Sequence, residues 1–426
     1  MPRNTTINPM RPAPSFGFVL LVVLSLPFSG TAIAEDWPQL LGPRRDGTYN
    51  GDDLAESWPE SGPPVVWEKQ VGHGFSNPVV ANGRVILFHR VGDEELIEAL
   101  EPDTGKPIWT FRYATTYRDG FGFDPGPRAS PIVAGSQIYT FSPQGVLHCI
   151  RFSDGRKIWR VNTHQEFGAD KGFFGAASTP VIDGPRLLVN VGGPNGAGIV
   201  AFDKDTGRVL WKVTDDEASY SSAVVADIAG KRLAVFFTRE GLQAVDSKTG
   251  EVRHALRWRA RSHASVNAAV PLVIGDRVFL SSSYGTGAIL VDLSGDEPKQ
   301  IWSSDDAISN HYATNVHKDG YLYGFHGRQE YGQSFRAIEL ETGKVAWEQG
   351  GFRAGTVTLA GDRLLILAEN GELTMAEASP DGFKVLSRAK ILDGTVRAYP
   401  ALAEGRLYTR NGSRLVSVDL RKQASR

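Results

Sequence analysis

Cysteine is nearly absent from this chain, since Cys149 is the single one among 426 residues. No intramolecular disulfide can form, so the hydrophobic core alone must hold the fold together. Cys149 lies in the apolar run VLHCI, which favours a small buried hydrophobic residue over a reactive thiol. This shortage excludes a disulfide-stapled scaffold.

An excess of basic residues is also missing. Lys and Arg number 46 against 48 Asp and Glu, which gives a net charge of −2. Without residues 1–34, which contain two arginines and no acids, the balance becomes 44 bases against 48 acids, or −4. Nucleic-acid surfaces need a marked basic excess, so we expect no nucleic-acid partner.

The common catalytic motifs are missing as well. The sequence contains no H-E-x-x-H, no G-x-S-x-G and no Gly-Lys-Ser/Thr phosphate loop. His311 and His317 flank a predicted strand, but no third ligand accompanies them, so we predict no metal site. The catalytic residues, if the chain has any, are unknown at this stage.

Long apolar runs occur once, at Phe16–Phe28. A polar lead with Arg3 and Arg11 precedes this run, and the A-x-A pattern of residues 32–34 follows it. The arrangement predicts a signal peptide over residues 1–34 with cleavage after Ala34. We therefore expect a periplasmic or secreted protein with no transmembrane anchor after cleavage. No cysteine lies near the cleavage site, which excludes a lipid anchor on the mature N-terminal residue.

What the chain does contain is a repeat. The stretch DKDTGRVLW, residues 203–211, resembles other stretches of the same chain, and the final residues of these copies are regularly spaced. These final residues are Trp67, Trp109, Trp159, Trp211, His254, Trp302, Trp347 and Leu386, spaced 39 to 52 residues apart. Each unit reads as four short strands separated by Gly-containing turns. A period of this length with eight copies predicts an all-β fold, a single eight-bladed β-propeller of four-stranded antiparallel blades.

The strand count predicts how the ring closes. Eight innermost strands begin after Trp67, but only seven outer strands follow them, so VVWEK at residues 65–69 should complete the C-terminal blade. We therefore expect a signal peptide at 1–34, an irregular segment at 35–64 that covers the ring, and the propeller at 65–423. We also expect a monomer.

The repeat resembles the tryptophan-docking motif of the PQQ-like, or quinoprotein-like, eight-bladed propellers. That group includes the alcohol dehydrogenases that use pyrroloquinoline quinone (PQQ) and the outer-membrane assembly factor BamB. The block DWPQLLGPRRDGTY, residues 36–49, is similar to the opening of exported PQQ-like propellers of planctomycete-type bacteria. The resemblance implies that indole rings in the outermost strands wedge between neighbouring blades. The docking residues would be Trp67, Trp109, Trp159, Trp211, Trp302 and Trp347.

A ligand site, if present, is expected at the ring axis, where loops lead into the innermost strands. Three arginines, Arg128, Arg353 and Arg397, recur just before such strands, and three cations meeting at one axis would attract an anionic small ligand. The loops also carry Tyr220, Asn267 and His311. The aromatic residues expected to form an apolar rim are Tyr117, Phe121, Phe123, Phe173, Phe174 and Tyr220.

These observations favour an exported, non-catalytic binding or assembly module whose partner is a cell-envelope protein or an anionic ligand. The alternative, implied by the resemblance, is a periplasmic dehydrogenase that oxidises alcohols or sugars with PQQ and Ca²⁺. Such enzymes hold PQQ between a Trp floor and a ring of adjacent disulfide-bonded cysteines, which a chain with one cysteine cannot form. We therefore expect no cofactor, with PQQ and Ca²⁺ as the alternative.

Overall fold

The structure, a computed structural model, describes residues 1–4, 6, 9, 35–263 and 266–422. The chain divides into two units, Met1–Ile33 and Ala34–Arg426, and every strand given below belongs to the second. The apolar run and the cleavage site of the predicted signal peptide lie outside the described residues.

The described part of the chain forms eight sheets of four antiparallel strands each, numbered here as blades 1 to 8. The innermost strands are Val79–Ala81, Ile132–Ala134, Val181–Asp183, Val224–Ile228, Leu272–Ile274, Val316–Lys318, Gly355–Ala360 and Ala401–Ala403. The second strands are Arg84–Val91, Gln137–Phe141, Arg186–Asn190, Lys231–Phe237, Arg277–Ser282, Tyr321–His326, Arg363–Ala368 and Arg406–Arg410. The third strands are Glu94–Leu100, Val146–Arg151, Ile199–Asp203, Gly241–Asp246, Gly287–Asp292, Gln333–Glu339, Glu372–Glu377 and Arg414–Asp419. The outermost strands are Pro107–Ala114, Lys157–Asn162, Val209–Val213, Val252–Arg257, Lys299–Ser304, Val345–Phe352, Val385–Lys390 and Val65–Gln70.

Three short elements complete the fold. Thr48–Tyr49 adds a parallel strand to the innermost strand of blade 7. A one-turn helix spans Thr163–Phe167, and a 3₁₀ turn spans Gln329–Tyr331. The predicted eight-bladed all-β propeller is confirmed. Among the described residues, no helix has the length and apolar character needed to cross a bilayer.

The N-terminal strand closes the ring. Val65–Gln70 pairs antiparallel with the third strand of blade 8, with Trp67 opposite Ser417. Closure in this way occupies the strand edge that blade 8 would otherwise leave open. The predicted closure agrees with the structure.

Burial falls from the second and third strands to the outermost strand of each blade. In blade 3, Leu187 and Phe202 are fully buried, because a neighbouring blade packs on each face of the sheet. Leu210, in the outermost strand, is 45% exposed. Each outermost strand carries a bulge beside the docking position. In blade 3, Trp211 pairs with Ala201 and Val209 pairs with Phe202, so one extra residue stands between Val209 and Trp211. A bulged edge is a poor template for pairing with another chain.

The docking tryptophans join each blade to the next. Five of the six indole Nε1 atoms donate to a backbone carbonyl in the turn between the third and outermost strands of the following blade. The acceptors are Pro102 for Trp67 (2.7 Å), Phe152 for Trp109 (3.0 Å), Lys204 for Trp159 (2.8 Å), Leu340 for Trp302 (2.8 Å) and Ser379 for Trp347 (2.8 Å). The Nε1 of Trp211 is buried without a partner.

Glycines in the same turns receive the indole rings. The contacts are Gly105 on Trp67, Gly155 on Trp109, Gly207 on Trp159, Gly250 on Trp211 and Gly343 on Trp302. A Cβ at Gly207 would lie 2.9 Å from the Trp159 ring, closer than carbon atoms can pack. The Thr-Gly and Trp parts of the repeat therefore meet across the seam between two blades, not within one blade.

The irregular N-terminal segment fills the axis of the ring. Trp37 exchanges two backbone hydrogen bonds with Val80 in blade 1, and the carbonyl of Gly47 accepts from Leu359 in blade 7. Between them, Arg45 is 2% exposed and donates to the carbonyl oxygens of Ala223 and Thr179, at 2.8 and 3.4 Å. Residues 36–49, named here the axial segment, thus tie together blades on opposite sides of the ring.

Candidate functional site

One end of the ring carries the loops that lead into the innermost strands, together with the hairpins between second and third strands. We name this end the cavity face, because these loops enclose a cavity of about 270 Å³ at the axis. Leu40 of the axial segment and Val270 close the cavity at its base. Its walls are largely aromatic and include Phe75, Phe123, Phe174, Tyr220, Tyr284, Tyr312 and Tyr399.

Small polar residues at the starts of the innermost strands hydrogen-bond to the neighbouring blade. Thr179 Oγ1 accepts from the backbone N–H of Ser130 at 2.9 Å, and the N–H of Thr179 donates to Ser222 Oγ at 2.8 Å. On the far side, Thr314 Oγ1 accepts from the N–H of Val270 at 2.9 Å. These side chains satisfy backbone groups where the strands converge, so their role is structural.

Arg128 lines the cavity and is paired with an acid. Its Nη2 lies 3.0 Å from Asp119 Oδ2, and its guanidinium stacks on the rings of Phe75 and Phe174. Burial disfavours the charged carboxylate, but backbone N–H donors and the Arg128 charge outweigh it and hold the pKa of Asp119 below its usual value. The pair is therefore ionised and fixed in place.

Arg397 also lines the cavity, beside the same Phe75 ring as Arg128, and is also paired. Its Nε donates to Glu369 Oε1, and its guanidinium lies 5.5 Å from the centre of the Phe75 ring. The side chain is 25% exposed, towards the cavity that it lines. Two of the three predicted arginines thus reach the axis.

His311 and Tyr220 also line the cavity. His311 Nε2 is 3.0 Å from Tyr284 Oη, its Nδ1 is buried without a partner, and burial lowers its pKa so that the ring is neutral at pH 7. Tyr220 Oη accepts from the backbone N–H groups of Phe173 and Phe174, at 2.9 and 3.0 Å. Tyr220 therefore positions the aromatic wall.

Two predicted residues, Arg353 and Asn267, lie outside the cavity. Only Arg353 and Ala354 separate the outermost strand of blade 6 from blade 7, so the loop is too short to reach the axis, and Arg353 lines a separate depression. Asn267 lies between Val266 and Ala268, which do line the cavity. Its side chain points the other way and bonds the Thr238 carbonyl at 2.8 Å.

An exposed aromatic cluster borders the cavity. Phe121 and Phe123 are 58% and 61% exposed, and their rings lie 6.2 Å apart. Both contact Phe174, which lines the cavity, and Phe121 also contacts Phe173. Of the predicted rim residues, Tyr117 is buried at 3% exposure, so the rim is formed by the other five.

The sequence did not single out three cavity residues, Tyr312, Tyr399 and Leu40, nor Arg45, which donates to the carbonyl of the cavity residue Thr179. Tyr312 and Tyr399 stand in predicted loops but were not distinguished from their neighbours, while Leu40 and Arg45 belong to a segment with no strand pattern. Two glycines in the same segment, Gly42 and Gly47, were the signal that could have pointed to Leu40 and Arg45. Gly42 packs on the Trp37 ring and Gly47 on Val316, as in a segment pressed against a core.

The residues present do not supply the PQQ site that the resemblance implies. Cys149 is fully buried in the third strand of blade 2, and burial raises its pKa to about 12. It therefore cannot contribute to a ring of disulfide-bonded cysteines that holds the quinone. The carboxylates of Asp119 and Glu369 are each paired with an arginine. Within the described ranges, no group of three or more His, Cys, Asp or Glu side chains is placed to hold a metal ion. His311 lines the cavity, and His317 lies in the innermost strand of blade 6.

Residues 92–349 match the family profile described as "Outer membrane protein assembly factor BamB". The protein of that name from Escherichia coli K12 is 24% identical over an alignment of 375 residues, covering 72% of this chain and 87% of the relative.

Solved structures give the same answer for the fold. BamB from Moraxella catarrhalis superposes with a TM-score of 0.62 at 15% identity, covering 85% of this chain and 99% of that one. The computationally designed Ika8 protein has a TM-score of 0.57 at 13% identity, covering 86% and 100%. At these identities the likeness shows the fold alone, and the family follows from the profile. The chain therefore belongs to the family of the outer membrane protein assembly factor BamB.

Proposed function

We propose that this protein is an exported, non-catalytic binding module of the cell envelope that holds a protein partner on its cavity face. Membership of a family named for outer membrane protein assembly supports a place in the envelope. The predicted signal peptide and the expected periplasmic or secreted location belong to the same proposal.

The observation that carries the proposal is the aromatic cluster on the cavity face. Phe121 and Phe123 leave more than half of each side chain in water, next to Phe173 and Phe174. Tyr331, on the 3₁₀ turn of the same face, is 82% exposed. Exposed aromatic groups clustered on one face are typical of protein-binding surfaces, where they become buried anchors.

The charges around the cavity support binding over catalysis. Besides the Asp119 and Glu369 pairs, Glu330 lies 2.8 Å from Arg328 Nη2. Although burial opposes it, backbone N–H donors with Arg128 hold the pKa of Asp119 below its usual value, and Arg328 does the same for the pKa of Glu330, so these two carboxylates are poor general bases. The cavity wall thus offers fixed charges without a free acid–base pair.

Site-specific photocrosslinking in the source cells tests the proposal. A photoreactive phenylalanine at position 123 should capture one defined envelope protein, and the same residue at Thr206, in an exposed turn on the opposite face, should capture none. The double variant Phe121→Ser, Phe123→Ser should lose the partner, because it removes the aromatic anchors without touching a strand. Equal capture from both positions, or retention in a cytoplasmic fraction, would contradict the proposal.

A reconstitution experiment tests the alternative dehydrogenase. Purified protein is mixed with PQQ and Ca²⁺, desalted, and assayed for quinone absorbance and for dye reduction with alcohols or sugars. We expect neither retained absorbance nor turnover, because the donor set for Ca²⁺ and the paired cysteines are not provided. Retained quinone together with turnover would replace the binding module by the enzyme.

A further inference from the structure

We propose that protonation of Glu95 holds closed the loop that carries Phe121 and Phe123, and that ionisation of Glu95 lets this loop open. Residues 115–125 are named here the aromatic loop. This regulation rests on the proposed function, because opening of the loop affects a partner only if the two phenylalanines bind one. The opening itself is a property of the isolated protein and is measured there.

Glu95 lies at the base of the aromatic loop and is fully buried. It stands opposite Arg90 in the second strand of blade 1 and opposite Tyr113 in the outermost strand, so the three side chains share one face of the sheet. Tyr113 Oη donates to Glu95 Oε2 at 2.5 Å, and Thr115 Oγ1 lies 3.4 Å from Glu95 Oε1. Because Thr115 is the first residue of the aromatic loop, the carboxyl group contacts the loop directly.

No cation contacts the Glu95 carboxyl group. In the described part of the chain Glu95 forms no ion pair within 4.0 Å, and Nη2 of Arg90 pairs instead with Asp93 at 2.9 Å. A buried carboxylate without a contacting cation is costly, so the neutral acid is favoured. Burial is the largest effect and raises the pKa of Glu95 to about 7, although Tyr113, the charge of Arg90 and Thr115 act in the opposite direction. Glu95 therefore changes charge close to neutral pH while the chain is folded.

Blade 2 packs on this face with groups that are neutral at the same pH. The ring centre of His148 lies 4.3 Å from that of Tyr113, and burial lowers the pKa of His148 to about 3, so the imidazole is uncharged. Gln144 Oε1 accepts from Thr115 Oγ1 at 2.9 Å. Glu95 is thus the group of this contact whose charge depends on pH near neutrality. The other charged side chains around the face are Arg90, Asp93, Arg118 and Arg160.

Arg90 connects the buried face to both ends of the aromatic loop. Its Nη1 donates to the carbonyl oxygens of Tyr117 and Pro125, at 2.7 and 3.1 Å. Thr115 adds a third attachment, since its backbone N–H donates to the carbonyl of Asp93 at 2.9 Å. Release of these attachments would admit water to Glu95, where the carboxyl group ionises with its ordinary pKa.

The direction of the effect follows from the two states of Glu95. Its pKa is about 7 in the closed loop and 4.5 in water, so the closed loop binds the proton more tightly. Rising pH therefore favours opening between these two values, and the opening constant should rise about twentyfold from pH 5.5 to 7.5 and then level off. Because an ordered loop loses less entropy on binding, a partner should bind more tightly at acidic pH.

Hydrogen exchange followed by mass spectrometry tests the inference on the isolated protein between pH 5.5 and 8.5. After correction for the intrinsic pH dependence of exchange, protection of the amides of residues 115–125 should fall about twentyfold from pH 5.5 to 7.5. Glu95→Gln keeps the shape of the protonated acid and should keep the loop protected at every pH. Glu94→Gln is the matched control, because this neighbour is 47% exposed, pairs with Arg112 and should leave the fall unchanged.

A second variant identifies the titrating group. Tyr113→Phe removes a hydrogen bond that favours the ionised carboxylate, so the fall in protection should move to higher pH. Protection that does not change with pH in the wild type, the same fall in Glu95→Gln, or an unmoved midpoint in Tyr113→Phe would each overturn the inference. Thermal unfolding of each variant shows that it is folded.

Capture of a partner by the photoreactive residue at position 123 separates this inference from the proposed function. With a partner present, capture at pH 5.5 should exceed capture at pH 7.5 in the wild type and should be equal at both values in Glu95→Gln. The expected exchange profile without any captured protein would contradict the proposed function alone. Capture without a change of exchange between pH 5.5 and 7.5 would overturn the control by Glu95 and leave the binding module in place.

Discussion

Two kinds of seam hold the ring together, and the difference between them explains the gaps in the repeat. At the seam between blades 2 and 3, Trp159 packs on Gly207 and donates to the Lys204 carbonyl. At the seam between blades 7 and 8, the backbone register places Ser387 in the Trp position, one residue after the Leu386 predicted from the repeat. Blade 8 has no turn between its third and outermost strands, because its outermost strand comes from the N-terminus. An indole there would have no docking turn.

The missing turn is replaced by the N-terminal segment. The N–H of Trp58 donates to Ser387 Oγ at 2.9 Å, and Trp58 packs with Leu386 and Ala389 against the core of blades 7 and 8. Gly62 lies against Ala389. The seam thus keeps a tryptophan and a glycine, but both come from outside the repeat. Trp and Gly are therefore features of the seam and not of one blade, but they are not strictly coupled: Trp347 docks on blade 7 although a Cβ at Gly382 would meet nothing within 4 Å.

Truncating a side chain packed in each seam should give the largest difference in stability between the two seams. Trp159→Ala should lower the free energy of unfolding by about 4 kcal/mol, because it removes a large side chain that is 9% exposed and leaves a cavity. Leu386→Ala should cost about 2 kcal/mol, since the residue is smaller and only half-buried. Urea denaturation of both variants measures the difference. Equal losses would mean that the two seams are held alike.

Adding one methyl group tests the glycine side of a docked seam. Gly207 and Gly275 both have positive φ, +73° and +59°, but a Cβ meets the Trp159 ring at Gly207 and nothing within 4 Å at Gly275. Gly275→Ala should cost about 1 kcal/mol from backbone strain alone. Gly207→Ala should cost roughly 1–3 kcal/mol more, because the indole must move. If thermal unfolding shows the same loss for both, the glycine is needed for the turn only.

The seam between blades 4 and 5 offers a smaller effect, which depends on pH. His254 stands in the Trp position, is 5% exposed, and has an unpartnered Nδ1; burial lowers its pKa. The neutral ring is favoured in the folded state, so stability is complete above the unfolded pKa near 6.5 and falls as pH drops towards the lower folded value. His254→Leu should flatten this part of the stability profile. A variant profile parallel to the wild type between pH 7.5 and 5.5 would contradict this assignment.

The sequence predicted the blades well because their physics is local. Period, turn glycines and alternating burial recur in each unit, and counting strands left one outer strand to be supplied by residues 65–69. The site was predicted only in part. Arg128 and Arg397 reach the axis, while Arg353 does not, because the loop before blade 7 has two residues between strands. Loop length after folding, and not residue type, decided which arginine lines the cavity.

By itself, the sequence determined eight blades, their order and the recurrence of Trp and Gly, because each depends on a pattern repeated within one unit. The docking of an indole on a glycine of the next blade was decided by the tertiary structure. Only the tertiary structure decided that the axial segment fills the ring, with Arg45 bonded to carbonyls more than a hundred residues away. The same holds for the cavity, whose walls come from loops of many blades that meet at one axis. Such contacts leave no periodic trace in a sequence, because they depend on where the closed ring places irregular loops.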